Sequence, residues 1–90
     1  MTLDTQTYKD VFSCFPSYHN GLQVGDVIQP QRLMNLFGLM PNIAHQILET
    51  MESEGYLIKD DVTPNTKLGS IQNAWHLTEE GYQLYRRLIG

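Results

Sequence analysis

The chain has 90 residues, which is enough for one small domain with one modest hydrophobic core, and we expect residues 1–90 to form that domain. With 41% hydrophobic and 18% charged residues the composition is that of an ordinary folded protein, and no run of about 18 apolar residues is present to span a membrane. Six Lys and Arg residues against ten Asp and Glu give a formal net charge of -4, which argues against extensive contact with nucleic-acid phosphates, because such contact usually depends on a basic excess.

The first predicted helix covers residues 5–15. Apolar side chains recur there three or four positions apart, which is the spacing of one helical face. The residues of that face are Tyr8, Val11, Phe12 and Phe15. Asp4 or Thr5 is a suitable N-cap, and Pro16 ends the helix. A loop rich in turn-forming residues follows at 17–21.

Two further helices are predicted close together, at residues 30–37 and 41–54. Pro30 and Pro41 each suit the first turn of a helix, where the missing N–H costs nothing, and Gly38 suits the left-handed conformation that ends the earlier helix. The apolar stripe of the second helix comprises Ile43, Ala44, Ile47, Leu48 and Met51. Helices joined by so short a turn cannot pack antiparallel over their full length, so we expect a steep crossing, as in a helix-turn-helix.

An extended segment begins after Gly55. A β-hairpin is predicted over residues 56–77, with a long tip dense in turn residues and with Trp75 and Leu77 on one face of the returning strand. Residues 24–28 predict a short strand or an extended entry to the helix that follows. A strand there would become the third member of the sheet.

The last predicted helix covers residues 79–89. Thr78 is a good N-cap for it, because a threonine hydroxyl accepts a hydrogen bond from an otherwise unpaired amide of the first turn. We expect its apolar face to consist of Tyr82, Tyr85, Leu88 and Ile89. Leu84 is predicted to lie off that face.

Two short motifs flank the hairpin. In the first, Glu52 follows Met51, and Gly55 precedes an apolar segment. The second reads Leu77-Thr78-Glu79-Glu80-Gly81. Together they resemble the winged helix-turn-helix domains of small bacterial transcription regulators, with the MarR and PadR groups as the nearest examples. Those families share L-x-x-L-E-x-x-G before an apolar residue, which is slightly altered here, and L-T-x-x-G, which is intact here.

The resemblance covers about residues 24–88. It implies an α+β, mostly helical fold, namely a winged helix-turn-helix with three to four helices, a β-hairpin wing and a possible short third strand. Winged helices also serve as protein-binding modules, so the resemblance defines the fold better than the function.

The resemblance implies that the helix beginning near Pro41 is the recognition helix of a DNA-binding domain. Its polar face would offer amides that pair with adenine edges and an imidazole that contacts a base or a phosphate. Basic residues on the preceding helix and in the wing would hold the backbone, with Lys59 as a weaker choice. The expected DNA-binding residues are Gln31, Arg32, Asn42, His45, Gln46 and Lys67. Alternatively, these residues simply form a solvated helix face. Glu49, which lies further along the same helix, would repel phosphate and counts against DNA binding.

Aromatic residues at the two ends of the chain predict a homodimer. They offer more apolar surface than one small core is expected to absorb, and in the families resembled the terminal helices often form the two-fold interface. The expected interface residues are Tyr8, Phe12, Tyr82, Tyr85 and Leu88. The alternative is that these side chains complete the core of the monomer.

No catalytic motif is present, and we expect neither an enzyme nor a cofactor. The soft metal ligands Cys14, His19, His45 and His76 lack the paired spacing of a zinc site, so no metal is expected. A single cysteine and the absence of a signal-peptide pattern favour a cytoplasmic protein.

Two functions therefore remain open from the sequence. The first is a transcriptional regulator that binds double-stranded DNA as a homodimer. The second is a winged-helix protein-protein interaction module, an adaptor or antagonist that does not bind DNA, which the net charge of -4 and Glu49 favour.

Overall fold

The computed structural model describes residues 3–59 and 74–89. Within these ranges the fold has four α-helices, one short 3-10 helix and three short strands, which confirms the predicted α+β, mostly helical class. The elements are α1 (Thr5–Ser13), a 3-10 helix (Tyr18–Asn20), β1 (Val27–Ile28), α2 (Pro30–Phe37), α3 (Pro41–Ser53), β2 (Leu57–Lys59), β3 (Trp75–Leu77) and α4 (Glu79–Leu88). None of the helices in the described ranges has the length and apolar character needed to cross a membrane.

Helix α1 begins at an aspartate cap. The Asp4 carboxylate accepts hydrogen bonds from the backbone N–H of Thr7 (2.8 Å) and from its hydroxyl (2.6 Å), and these bonds hold the pKa of Asp4 below its ordinary value. The helix ends at Ser13, two residues before its predicted end. The N–H of Cys14 already donates to the carbonyl of Val11 (3.0 Å), so the last turn tightens before Pro16 is reached.

The three strands form one antiparallel sheet in the order β1-β3-β2. The third strand expected from residues 24–28 is therefore present, although it is only two residues long. Asp26 fixes the approach to it, because its carbonyl accepts from the N–H of Leu77 (2.8 Å) and its carboxylate accepts from the hydroxyl of Ser17 (2.6 Å). Trp75 and Leu77 are both buried on the inner face of the sheet, as predicted.

The two motifs that flank the hairpin meet in the structure. Gly55 ends the α3 segment with a φ of 89°, a conformation that favours glycine. The N–H of Thr78 donates to the carbonyl of Tyr56 (3.1 Å), and its hydroxyl donates to the carbonyl of Gly55 (2.5 Å). The same hydroxyl accepts from the N–H of Gly81 (3.0 Å), so Thr78 is the N-cap of α4, as predicted.

One core lies between the helices and the inner face of the sheet. Its fully buried large side chains include Trp75, Phe12, Phe15, Ile28, Leu33, Leu48, Met51, Leu57 and Leu77. The prediction that Leu84 lies off the apolar face of α4 is wrong, because Leu84 is buried whereas Tyr82 and Leu88 are only partly buried. Gly81 is also buried, so α4 faces the core with the side that carries residues 81 and 84.

Candidate nucleic-acid interface

The two helices predicted in this segment are present, with α2 at its predicted bounds and α3 one residue shorter than predicted. Gly38 ends α2 in the left-handed conformation, with a φ of 65°, and Pro41 occupies the first turn of α3. The carbonyl of Met40 accepts from the N–H groups of Ile43 (3.0 Å) and Ala44 (3.1 Å), which closes that first turn. Three residues therefore separate two helices that pack on each other.

One face of α3 is fixed by the core, and this determines what the opposite face presents. Ala44, Leu48 and Met51 are the buried residues of the helix. Asn42 and Gln46 lie on the opposite side and are both exposed. They are four residues apart, which places them about 6 Å apart along the helix axis and on the same face. We refer to Asn42 and Gln46 as the amide ridge.

His45 does not belong to the amide ridge. Its side chain is partly buried, and its ring meets the ring of Trp75 edge-on, with the centroids 6.0 Å apart. Its Nδ1 atom lies 3.3 Å from the carbonyl oxygen of Pro41. Lys59 approaches the same indole, with its Nζ atom 5.3 Å from the ring centroid. His45 therefore lies where α3 meets the sheet, with a basic side chain beside the same tryptophan.

The carboxylates late in α3 make contacts within the chain. Glu52 accepts a hydrogen bond from the indole N–H of Trp75 (3.0 Å), and it lies about a third of a turn round the helix from Gln46. Glu54 accepts from the hydroxyl of Tyr8 (2.7 Å to Oε1). Burial, reinforced by this bond to Glu54, raises the pKa of Tyr8. The side chains of Glu52 and Glu54 are thus engaged with Trp75 and Tyr8.

No charged residue occurs between Arg32 and Glu49, a segment that includes most of α2, the turn and the first half of α3. In a chain with a net charge of -4, the amide ridge therefore lies in a stretch of sequence without Asp, Glu, Lys or Arg. Glu49 is the first carboxylate beyond it and is exposed. Along α3, Glu49 is therefore the carboxylate closest to the amide ridge in sequence.

The candidate residues on α2 are both exposed, and each makes a side-chain hydrogen bond away from α3. The Nε atom of Arg32 donates to the carbonyl of Cys14 (3.1 Å) at the C-terminal end of α1, and the amide of Gln31 donates to that of Asn35 (2.9 Å). Within the described part of the chain, no hydrogen bond joins these two residues to Asn42, His45 or Gln46. Lys67, the candidate in the wing, lies outside the described residues.

Four large apolar side chains are exposed around the α2–α3 turn. They are Leu36 (56% exposed), Phe37 (43%), Met40 (68%) and Ile43 (37%), and we call them the turn cluster. Ile43 was predicted to face the core, and that prediction is wrong. It lies about 100° round the helix from the centre of the buried stripe. A helical-wheel projection of the sequence would therefore have predicted that Ile43 is exposed.

The predicted dimer residues divide into two groups. Phe12 is fully buried in the core of the single chain, where its ring meets that of Tyr85 edge-on with the centroids 5.7 Å apart. It therefore has no exposed surface to contribute to a dimer interface. Tyr8, Tyr82, Tyr85 and Leu88 are only partly buried against the core and keep some accessible surface. Their part in a dimer stays a prediction.

The rest of the described chain offers little for covalent or metal chemistry. Cys14 is buried, and burial raises the pKa of its thiol to about 11, so the nucleophilic thiolate is disfavoured near neutral pH. Among residues 3–59 and 74–89, no three His, Cys, Asp or Glu side chains lie together in a metal-binding arrangement.

No protein-family model, curated protein or solved structure matches the chain.

Proposed function

We propose that the chain is a winged helix-turn-helix domain that binds double-stranded DNA and regulates transcription. The order of elements supports this proposal, because two helices separated by a three-residue turn are followed by two antiparallel strands and a final helix. In that architecture α3 is the recognition helix, and β2 and β3 form the base of the wing.

The observation that carries the proposal is the exposed, uncharged amide ridge of α3. Side-chain amides make paired hydrogen bonds with adenine in the major groove, and they need no basic environment to do so. Glu49 is exposed and is the first carboxylate along α3, so it limits how far along the helix DNA can make contact. We therefore assign the DNA contact to the first two turns of α3.

Electrostatic attraction contributes little in this proposal. Arg32 and Lys59 are the basic residues of the described chain nearest to α3 in sequence, and both already contact other groups, the Cys14 carbonyl and the Trp75 ring. Lys67 adds a third basic residue from the wing. A protein with so few phosphate contacts binds weakly and with a shallow salt dependence.

A homodimer on a palindromic site would double these contacts and compensate for their small number. The surface proposed for the two-fold interface is the partly buried side of α1 and α4, with Tyr8, Tyr82, Tyr85 and Leu88. Sedimentation equilibrium over a range of concentrations tests this part, since a strictly monomeric chain at micromolar concentrations would remove it.

The test of DNA binding is a fluorescence-anisotropy titration of labelled duplex at low salt. Wild type is compared with an Asn42→Ala/Gln46→Ala double variant. Gln83→Ala serves as a matched control, because it removes an exposed amide from α4, whose only described partner is Glu79 on the same helix. We expect the double variant to lose most of its affinity and the control to retain it. If wild type leaves the anisotropy of every duplex unchanged, the proposal is wrong.

A second function is favoured by the turn cluster. Four exposed apolar side chains around one turn are typical of a surface that another protein covers. On this alternative the chain is a protein-interaction module, an adaptor or antagonist, and the turn cluster rather than the amide ridge contacts the partner. A Leu36→Ser/Met40→Ser variant would then lose its partner in a pull-down, while Asn42→Ala/Gln46→Ala would keep it.

A further inference from the structure

We propose that the first two turns of α3 select A·T base pairs, with Asn42 and Gln46 reading adenine and Ile43 contacting the methyl group of thymine. This inference rests on the proposed function, because it requires that α3 enters the major groove. It goes further by assigning a base to each exposed side chain.

The amide ridge determines the adenine preference. An asparagine or glutamine amide donates to N7 and accepts from the N6 amino group of the same adenine, and no other base presents that pair of groups in the major groove. Asn42 and Gln46 are about 6 Å apart along the helix, and successive bases on one strand are about 3.4 Å apart. Because a helix in the major groove lies oblique to the DNA axis, the two amides match adenines within about two base steps of each other.

Ile43 adds a contact with thymine. It is 37% exposed and lies on the side of Gln46 that faces away from His45 and Trp75. The C5-methyl group of thymine is the apolar feature of the major groove, and aliphatic side chains pack against it. Ile43 beside two amides is thus complementary to A·T pairs, because a G·C pair has no methyl group for it to contact.

Guanine recognition is disfavoured because the first two turns of α3 contain no Arg or Lys. Guanine is read mainly by Arg or Lys through O6 and N7, and the sequence between Arg32 and Glu49 contains neither. Glu49 is able to accept from the amino group of cytosine, but it lies about one turn beyond Gln46 and close to the limit of the groove contact. The A·T preference is therefore confined to the positions facing residues 42–46.

The test is selection of duplexes from a random pool at low salt, followed by titrations with base analogues. We expect enriched sites to contain two adenines within about two steps of each other. Replacing an adenine with 7-deazaadenine removes the N7 acceptor and should weaken wild-type binding about ten-fold. In a Gln46→Ala or Asn42→Ala variant, the analogue at the corresponding position should have little further effect.

The thymine contact is tested in the same way. Uracil in place of thymine removes only the methyl group, so it should weaken wild-type binding several-fold and leave Ile43→Ala almost unaffected. Fluorescence of the single tryptophan checks that each variant is folded.

Enrichment of G·C pairs, or binding without base preference, would overturn this inference and leave DNA binding intact. Failure to recover any duplex would overturn both.

Discussion

The carbonyl oxygen of Tyr56 lies so close to Gly81 that a Cβ atom at residue 81 would stand 2.1 Å from it. The Cδ1 atom of Leu77 would be 2.7 Å away. Glycine is therefore required at residue 81 because the two backbones approach each other closely there. Its φ is not in the left-handed region. Together with the hydrogen bonds of Thr78, this contact fixes the start of α4 against the end of the α3–β2 junction.

Gly81→Ala should destabilise the fold severely. The new methyl group meets a backbone carbonyl, which cannot rotate away as a flexible side chain would, so α4 must shift from the core. We expect a loss of about 3 kcal/mol in the free energy of unfolding. Urea unfolding followed by circular dichroism measures it, with Gln83→Ala on the same helix as a control. Equal stability of the two variants would show that the contact is looser than described.

Thr78→Val should cost about 1–2 kcal/mol, because it removes the hydroxyl that caps α4 and leaves the Gly55 carbonyl without that donor. Valine has nearly the same shape, so packing is preserved. Thr78→Ser keeps the hydroxyl and should recover most of the loss. If Thr78→Ser and Thr78→Val are equally destabilising, the methyl group matters as much as the hydrogen bonds, which would contradict this prediction.

The bond between Glu52 and Trp75 gives a third prediction. Trp75 is fully buried, and Glu52→Leu leaves its indole N–H without this acceptor, at a cost of about 1–3 kcal/mol. Glu52→Gln retains an acceptor oxygen and should cost less. In a Trp75→Phe background, where no N–H remains, Glu52→Leu should have a much smaller effect. A double-mutant cycle by chemical denaturation measures this coupling, and purely additive costs would contradict it.

The Asp4 cap predicts a pH dependence. Its folded pKa is lowered by the hydrogen bonds from Thr7, so its contribution is complete above the unfolded pKa and is lost as the pH falls through the folded pKa. Asp4→Asn also caps a helix but does not titrate. On acidification the melting temperature of wild type should therefore fall more than that of Asp4→Asn. Parallel melting curves at all pH values would argue against the bond to Thr7.

The sequence predicted the elements well because each is bounded by a residue with a specific local role. Pro30, Gly38 and Pro41 mark the helix ends, and the cap at Thr78 is also local. The orientation of α4 was not predictable in this way. Its buried side depends on the contact between Gly81 and Tyr56, which are far apart in the chain, whereas counting apolar residues favoured the tyrosines and missed Leu84.

The candidate site was predicted only in part, for the same reason. The exposure of Asn42 and Gln46 follows from the helical period, because the stripe at Ala44, Leu48 and Met51 fixes the opposite face. The position of His45 depends on Trp75, which reaches α3 only through the sheet. Likewise, no pattern within α2 indicates that Arg32 contacts the end of α1.

The most direct test of the DNA-binding proposal is an amide NMR titration of the whole chain with a duplex at low salt. The largest shift changes should fall on residues 42–49 of α3, with smaller changes near Lys59 and little change at the surface formed by Glu54, Glu79 and Glu80. Unchanged spectra at saturating duplex, or changes confined to α1 and α4, would contradict it.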